Sequence, residues 1–262
     1  MRSNNELHGR HAIITGGGRG IGAAVAAELA QRGADLSLMG RNMDRLHRTA
    51  ESIRDRCGSK VETHRLDVTD LAAVAQVFAF AQKSLGPAYI LVNNAGQAQA
   101  MPFPKMQPDF WEQVMAVNLT SAFYCAQQVL PAMVEHGGGR VVNIASTAGL
   151  KGYPKISAYC ASKHGLVGLT RALAVEYAKS GVTVNAVCPG YTETEMLDRA
   201  VSEVVDSIGK SPEEARALLT RKNPQGRLVK PEEVADAVAW LCSPEASAIN
   251  GQAIAVAGGE VQ

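Results

Sequence analysis

The chain contains 262 residues, of which 46% are hydrophobic and 19% charged, and its formal net charge is +1. A chain of this length can bury a sizeable core, whereas its near-neutral charge excludes the strong field that favours nucleic acid or an anionic membrane as a partner. The five cysteines are odd in number and lie far apart, so we expect reduced thiols. No apolar stretch approaches the ~18 residues of a membrane span, and the polar N-terminal segment lacks the apolar core of a signal peptide. We therefore expect a cytoplasmic protein.

Seven short apolar runs recur along the chain, and most are followed by a segment with apolar residues at helical spacing. Because each run is continuously apolar, it is typical of a strand buried on both faces, as in a parallel sheet. Alternation of such strands with helices predicts an α/β protein with a doubly wound sheet and right-handed crossovers. We predict strands at 11–15, 35–39, 61–66, 89–92, 140–145, 182–187 and 252–256, and helices at 21–32, 43–56, 71–85, about 107–135 and 157–179.

The stretch 191–225 interrupts this alternation after the sixth predicted strand. It is highly charged and mixed in sign, and Pro212 followed by two glutamates is typical of a helix start. Ligands of open α/β sheets bind outside the carboxyl ends of the strands. We therefore interpret the stretch as a two-helix substrate lid rather than a surface decoration. A last helix is predicted to begin at Pro231, where the missing N–H of proline costs no helical hydrogen bond.

A glycine-rich turn follows the first predicted strand and opens the first predicted helix. Glycines there allow a tight turn and a close approach of a pyrophosphate to the backbone, and the free N–H groups of the helix start attract the anion. The alternative is a purely structural turn, but its place after the first strand of an alternating chain favours a dinucleotide site. The residues of this candidate site are Gly16, Gly18, Arg19, Gly20, Ile21 and Gly22.

The end of the second predicted strand carries Arg41, and no carboxylate follows until Asp44. A site for NAD would place an acid in this region to bind the ribose hydroxyls. An acid would repel the 2′-phosphate of NADP, whereas Arg41, joined by Arg19 from the glycine-rich turn, can hold that phosphate through charge-assisted hydrogen bonds. We therefore favour NADP(H). NAD(H) is the alternative if both arginines are merely solvated surface residues.

Ser146, Tyr159 and Lys163 form a candidate catalytic group. Tyr159 and Lys163 are four residues apart and fall on one face of the helix predicted at 157–179. We expect the Lys163 ammonium to favour the phenolate and so to lower the pKa of Tyr159. Ser146 ends the fifth predicted strand and can donate a hydrogen bond to a substrate oxygen, while Tyr159 gives that oxygen a proton or removes it. No metal is required, and the six histidines show no metal-ligand spacing.

Taken together, four motifs resemble those of the classical short-chain dehydrogenase/reductase family over essentially the whole chain. The resemblance implies a single Rossmann-type domain over residues 1–262, with a seven-stranded parallel sheet in the order 3-2-1-4-5-6-7. It also implies an enzyme that interconverts a ketone and a secondary alcohol with a nicotinamide cofactor. The motifs are Thr15-Gly16-x3-Gly20-Ile21-Gly22, Asn93-Asn94-Ala95-Gly96, Ser146…Tyr159-x3-Lys163 and Pro189-Gly190.

The same resemblance implies roles for individual residues. Asn118 is expected to kink the long helix at 107–135 and to hold a water on a proton relay to Lys163. Most members of the family are homotetramers, so a homotetramer is expected. The other residues implied to contact the cofactor are Asp67 and Val68 at the adenine, Asn94, Ala95 and Gly96 at the adenosine, Pro189, Gly190, Thr192 and Thr194 at the nicotinamide, and Tyr159 and Lys163.

The chain's pattern is similar to that of the family's 3-oxoacyl-thioester reductases, polyketide ketoreductases and 3-hydroxyacyl dehydrogenases. We expect a small-molecule carbonyl substrate, with an NAD-dependent dehydrogenase working oxidatively as the alternative. A dinucleotide-sensing regulator is disfavoured because Tyr159 and Lys163 are both present. Candidate substrate contacts are Gln97, Thr147, Tyr153, Tyr191 and Met196. Basic residues that could meet the phosphate of an acyl thioester are Lys151, Lys155, Arg199, Lys210, Arg221 and Lys222.

Overall fold

Seven strands form one parallel sheet in the computed structural model, which describes residues 5–261 and all their side chains except those of 207 and 208. Residues 1–4 and 262 of the predicted domain lie outside the described residues. The strand order is β3-β2-β1-β4-β5-β6-β7, which confirms the order implied by the family resemblance. The strands are β1 (His11–Thr15), β2 (Asp35–Gly40), β3 (Val61–Arg65), β4 (Ala88–Asn93), β5 (Gly139–Ile144), β6 (Val182–Pro189) and β7 (Ala253–Val256).

Helices cover both faces of the sheet. Buried side chains of α1, α2 and α9 form a cluster with one face, which includes Val25, Leu46 and Val238. A second cluster on the other face includes Phe78 of α3 and Val129 of α5. The helices are α1 (Gly20–Gln31), α2 (Met43–Cys57), α3 (Leu71–Leu85), α4 (Pro108–Met115), α5 (Ser121–Glu135), α6 (Ser157–Glu176), α7 (Glu195–Ile208), α8 (Pro212–Thr220) and α9 (Pro231–Cys242). None of the helices in residues 5–261 is long and apolar enough to cross a membrane.

Burial on both faces explains why the strands are continuously apolar. Every residue of β1 and of β6 is buried, as expected for a parallel sheet between two helical layers. The predicted strands agree with the observed ones to within two residues at each end. The largest difference is at the end of β6, where Cys188 and Pro189 continue the pairing with Ala255 and Val256 of β7.

The long helix predicted at 107–135 is interrupted. A π-helical turn, Ala116–Thr120, separates α4 from α5, and such turns occur often at functional sites. Asn118 lies buried in this turn. Its side-chain amide donates to the Gln97 carbonyl at 2.9 Å and accepts from the Gln97 N–H at 2.9 Å. The interruption therefore carries a side chain that fixes the loop after β4.

Two helices, α7 and α8, occupy the stretch after β6. Ser211 and Glu214 form a capping box at the start of α8, where Pro212 is the first helical residue. Leu197 of α7 and Leu219 of α8 pack with Leu228 in a small apolar cluster separate from the main core. These helices lie over the carboxyl end of β6 and line a cavity there.

Candidate active site

Two cavities open side by side at the carboxyl edge of the sheet, where the strand order reverses between β1 and β4. The first cavity, of about 450 Å³, lies beside the glycine-rich turn and the ends of β2 and β3. The second cavity, of about 650 Å³, lies between the ends of β5 and β6 and the helices α7 and α8. They form one cleft because they share the wall residues Ile21, Asn94, Gly96, Gln97, Thr194 and Met196. Such a reversal point is where open α/β sheets bind ligands.

The glycine-rich turn ends at a helix start that no side chain caps. The first turn of α1 contains no acid, so its free N–H groups and the positive end of the helix dipole are available to an anion in the first cavity. Gly16 and Gly20 have φ values of 67° and 52°, which glycine adopts without strain. Gly22, predicted to bind the cofactor, lines neither cavity. A Cβ at Gly22 would overlap the Gly16 carbonyl oxygen, so this glycine permits close packing of α1 instead.

Thr15 and Asn94 join the ends of β1 and β4. The Thr15 hydroxyl accepts hydrogen bonds from the N–H groups of Asn94 and Ala95 at 3.0 and 3.1 Å. In return, the Asn94 amide donates to the carbonyls of Thr15 and Gly16 at 3.0 and 3.1 Å. These bonds fix the ends of β1 and β4 relative to each other, and Asn94 belongs to the wall that the two cavities share.

Four guanidinium groups line the first cavity, from Arg19, Arg41, Arg45 and Arg199. Glu195, at the start of α7, bonds both Arg19 and Arg45, the latter at 2.9 Å. The hydrogen bond from Arg45, and a weaker effect of Arg19, lower the pKa of the Glu195 carboxyl. The Glu195 carboxylate therefore neutralises part of the positive charge that the arginines bring to this cavity. This donor set and the uncapped helix start fit the phosphates of a dinucleotide.

Arg45 was not predicted from the sequence as a cofactor residue. It lies in the first turn of α2, where its N–H donates to the capping Asn42 side chain at 3.0 Å. Arg41 lies just before the Asn42 cap and Arg45 in the first turn, and this spacing of four residues across the helix start brings both to the wall of the first cavity. That spacing was the signal available in the sequence.

The second cavity contains the candidate catalytic group. Ser146 follows β5, and Tyr159 and Lys163 lie on α6 one turn apart. The Lys163 ammonium is 5.7 Å from the centre of the Tyr159 ring and donates to the Ile144 carbonyl at 2.7 Å. Ser146 and Tyr159 both line this cavity, and the Ser146 hydroxyl lies close enough to the phenol to lower its pKa. The predicted trio therefore meets in the second cavity, where it can bind a carbonyl oxygen and exchange a proton with it.

The pKa of Tyr159 moves opposite to the predicted direction. Burial raises it to about 12, and the nearby Ser146 hydroxyl only partly offsets that rise. Burial also lowers the pKa of Lys163 to about 8. The predicted lowering of the Tyr159 pKa is contradicted, because desolvation by burial is the largest effect on the phenol and the partial offset comes from Ser146. Tyr159 is therefore a neutral phenol at neutral pH, in the form of a proton donor.

The cleft gathers nearly all of the predicted site residues. Asn118 lines neither cavity, but its side chain bonds the backbone of Gln97, which does line the cleft. Of the basic residues considered for a thioester phosphate, Lys151, Lys210 and Arg221 line neither cavity. The predicted residues found in the walls are Gly16, Gly18, Arg19, Gly20, Ile21, Arg41, Asp67, Val68, Asn94, Ala95, Gly96, Gln97, Ser146, Thr147, Tyr153, Tyr159, Lys163, Pro189, Gly190, Tyr191, Thr192, Thr194 and Met196. Among residues 5–261, no cluster of histidine, cysteine and acidic side chains could hold a metal ion.

The model of the short chain dehydrogenase family matches residues 10–204 of the chain. This chain belongs to that family. A solved structure of a variant actinorhodin polyketide ketoreductase with NADPH superposes with a TM-score of 0.93 at 39% identity, covering 96% of this chain and 97% of that one. The D-beta-hydroxybutyrate dehydrogenase of Cupriavidus necator is 37% identical, with 94% and 95% of the two chains covered. The 3-oxoacyl-acyl-carrier-protein reductase of Thermotoga maritima is 36% identical, with 97% and 99% covered.

These relatives act on ketones or on the corresponding alcohols. Membership of the family and the composition of the cleft agree on the class of reaction. This short-chain dehydrogenase is an oxidoreductase that uses a nicotinamide cofactor to interconvert a ketone and an alcohol.

Replacing Lys163 by methionine tests the cost of its buried charge. Burial lowers the pKa of Lys163 from 10.5 to about 8 in the folded protein, so the unfolded chain holds this proton more tightly than the folded chain does. The charge therefore destabilises the folded state below pH 8, and this effect disappears as the pH rises towards 10.5. At pH 7 we expect cofactor-free Lys163→Met to be more stable than the wild type by roughly 1–3 kcal/mol, after loss of the bond to Ile144.

Urea unfolding at pH 7 and at pH 10 measures this difference. The stability gap should shrink at the higher pH as the wild-type lysine loses its proton. Lys179→Met, at an exposed lysine just beyond α6, is the matched control and should show no such gap. A Lys163→Met protein that is less stable than the wild type at both pH values would contradict a buried ammonium.

Proposed function

We propose that this enzyme reduces a small ketone to a secondary alcohol with NADPH, and that Tyr159 is the proton donor. The observation that carries the proposal is the meeting of Ser146, Tyr159 and Lys163 in a mainly apolar cavity that shares a wall with a cationic one. The first cavity suits the cofactor's phosphates. The second suits a carbonyl compound rather than a bare sugar, since much of its wall is formed by Ala98, Ala100, Ile144, Ile156, Leu197 and Leu218.

In the reductive direction the substrate oxygen gains a proton as its carbon gains a hydride, which the reduced nicotinamide supplies when bound. Ser146 and Tyr159 present hydroxyl groups to the substrate oxygen, and both can donate to it. Tyr159 is protonated at neutral pH because burial raises its pKa to about 12. The phenol therefore gives its proton to the oxygen as negative charge develops there.

Lys163 and Asn118 are proposed to complete the catalytic set behind Tyr159. The Lys163 ammonium is anchored to Ile144 and keeps further N–H donors, which suit the cofactor ribose. Gly96 leaves room at this point, because a Cβ there would lie 3.1 Å from Asn118 Oδ1 and 3.7 Å from Lys163 Nζ. Asn118 holds Gln97 in the wall, and we retain for it the proposed proton relay to Lys163.

The remaining wall residues are proposed to bind different parts of the cofactor along the cleft. Gly16, Gly18 and Gly20 offer backbone to the pyrophosphate, and Arg41 with Arg45 suits the 2′-phosphate. Asp67, whose pKa is lowered mainly by the N–H and hydroxyl of Thr69, would accept from the adenine. Val68, Asn94, Ala95, Pro189, Gly190, Thr192 and Thr194 would form the walls beside the adenosine and nicotinamide.

For the substrate we propose a 3-oxoacyl compound or a related ketone, contacted by Gln97, Thr147, Tyr191 and Met196. The T. maritima relative is a reductase of 3-oxoacyl groups. Helices α7 and α8 would act as a lid, because Leu197 and Leu219 form part of the cavity wall. Lys155 and Lys222 in that wall, and Arg199 in the wall of the first cavity, are the basic residues left to meet a thioester's phosphate.

We also propose a homotetramer that works in the cytoplasm as one catalytic domain. Large apolar side chains are exposed on the helical surface, among them Trp111, Phe123, Val134 and Val175. Exposed apolar groups of this size favour burial between subunits. All five cysteines are unpaired, as is usual for proteins of a reducing compartment.

Tyr159→Phe tests the proposed proton donor. We expect kcat for a ketone panel, including acetoacetyl thioesters, to fall by about 100-fold or more, because the general acid is lost. Binding of NADPH, measured by fluorescence titration, should weaken by much less than kcat falls, because Tyr159 is one of many residues expected to contact the cofactor. Tyr177→Phe removes the same hydroxyl just beyond α6, away from both cavities, and should leave kcat intact. Wild-type kcat in Tyr159→Phe would remove Tyr159 from the mechanism.

Arg41→Ala and Arg45→Ala test the cofactor assignment. Each should lower kcat/KM for NADPH by roughly tenfold, since a charge-assisted hydrogen bond contributes about 1.5–3 kcal/mol, and should leave that for NADH nearly unchanged. Arg48→Ala is the control, because Arg48 lies on the same helix but outside the cavity. Equal use of NADH and NADPH by the wild type would instead favour an NAD-dependent dehydrogenase working oxidatively.

A further inference from the structure

Thr147, Tyr153 and Glu260 form a hydrogen-bonded chain at the wall of the second cavity. The Tyr153 hydroxyl oxygen lies 2.7 Å from Thr147 Oγ1 and 2.7 Å from Glu260 Oε1. Thr147 and Tyr153 line the cavity, whereas Glu260 lies behind it with a side chain only 2% exposed. The chain therefore links the cavity beside Ser146 to a buried carboxyl group that the mechanism above does not use.

The hydrogen bonds that link Thr147, Tyr153 and Glu260 can be donated in only one direction. Glu260 Oε1 also faces the Lys151 ammonium at 3.3 Å, so it accepts from both of its partners. Tyr153 has a single hydroxyl proton, which therefore goes to Glu260. The short contact between Tyr153 and Thr147 must then use the Thr147 proton. Thr147 Oγ1 is left with lone pairs alone to offer to the cavity.

A purely structural role explains Glu260 poorly. Its second oxygen, Oε2, is buried and has no hydrogen-bond partner among the described residues. It also lies 3.1 Å from the position that a Cβ at Gly190 would take. A buried carboxyl oxygen without a partner is destabilising. Anchoring the C-terminal segment alone would be achieved better by an apolar or amide side chain.

We propose that Glu260 is a positioning residue that, through Tyr153, makes Thr147 a hydrogen-bond acceptor and so selects ketones with a hydroxyl or N–H donor close to the carbonyl group. Ser146 and Thr147 are consecutive, so a donor for the substrate's carbonyl oxygen lies beside an acceptor for its second polar group. An ether oxygen at that place would meet only lone pairs, and the second carbonyl of a 3-oxoacyl compound would have to lie against another part of the cavity wall. A site that bonds a substrate hydroxyl discriminates strongly against analogues that lack it.

This inference rests on the proposed ketone reductase function, and its test separates the two. We would compare a methyl ketone with a hydroxyl two carbons from the carbonyl carbon, its methyl ether, and the unsubstituted ketone. The wild type should prefer the hydroxyl compound over the ether by about tenfold in kcat/KM, as for one hydrogen bond gained. Since both are measured on one preparation, incomplete folding of a variant cancels in the ratio.

Two variants should abolish the preference by different routes. Tyr153→Phe frees the Thr147 proton, which can then be donated to the ether. Glu260→Met removes the acceptor, so the Tyr153 hydroxyl turns to Thr147 and again frees its proton. In both, the ratio should fall towards one. Tyr177→Phe is the control: it removes a tyrosine hydroxyl away from both cavities, so the ratio should remain near the wild-type value.

A ratio near one in the wild type, or a wild-type ratio in both Tyr153→Phe and Glu260→Met, would overturn the inference while leaving ketone reduction intact. A merely structural Glu260 would lower kcat/KM equally for the hydroxyl compound and the ether. If no ketone in the set is reduced with either nicotinamide cofactor, the proposed function itself fails, and this inference with it.

Discussion

Lys163 carries an ammonium group 2.7 Å from the Ile144 carbonyl, at a site almost closed to solvent. This bond ties α6 to the end of β5, which places Tyr159, one helical turn earlier, beside Ser146. The backbone of Lys163 is tightly packed, since a Cβ at Gly149 would lie 2.8 Å from the Lys163 carbonyl oxygen. Farther into the sheet, the buried amides of Asn93 and Asn143 are linked at 2.9 Å. The geometry of the catalytic groups therefore depends on buried polar contacts whose burial costs stability.

The two cavities differ in charge and polarity, which suits them to different ligands. Arginines and a helix start make the first cavity attractive to phosphates, whereas the second is mainly apolar and includes the hydroxyl groups of Ser146 and Tyr159 in its wall. Glu195 connects the two cavities, because it begins α7, which lines the second cavity, and bonds Arg19 and Arg45 in the first. An anionic cofactor must compete with Glu195 for those arginines. Cofactor binding and the position of α7 are therefore coupled through one exposed carboxylate.

The sequence allowed the strands and most of the helices to be predicted because burial on both faces leaves continuous apolar runs. The proposed catalytic trio was predictable because Ser146 closely follows β5 and because Tyr159 and Lys163 lie one turn apart on α6. Other features depend on contacts between distant segments. Arg45 joins the site only once α2 has folded against the glycine-rich turn, and Glu260 meets Tyr153 at 107 residues' separation. The pKa of Tyr159 was predicted in the wrong direction, because spacing reveals a charged neighbour but does not reveal desolvation.

The central claim is that the cleft transfers a hydride to a carbonyl carbon while Tyr159 supplies the proton to its oxygen. The most direct measurement is reduction of a ketone with NADPH deuterated at the transferring position, followed by mass spectrometry and NMR of the product. The account predicts one deuterium on the carbinol carbon when the label is on the cofactor, and none on that carbon when the label is in the solvent. Label from the solvent on that carbon, or no alcohol at all, would contradict it.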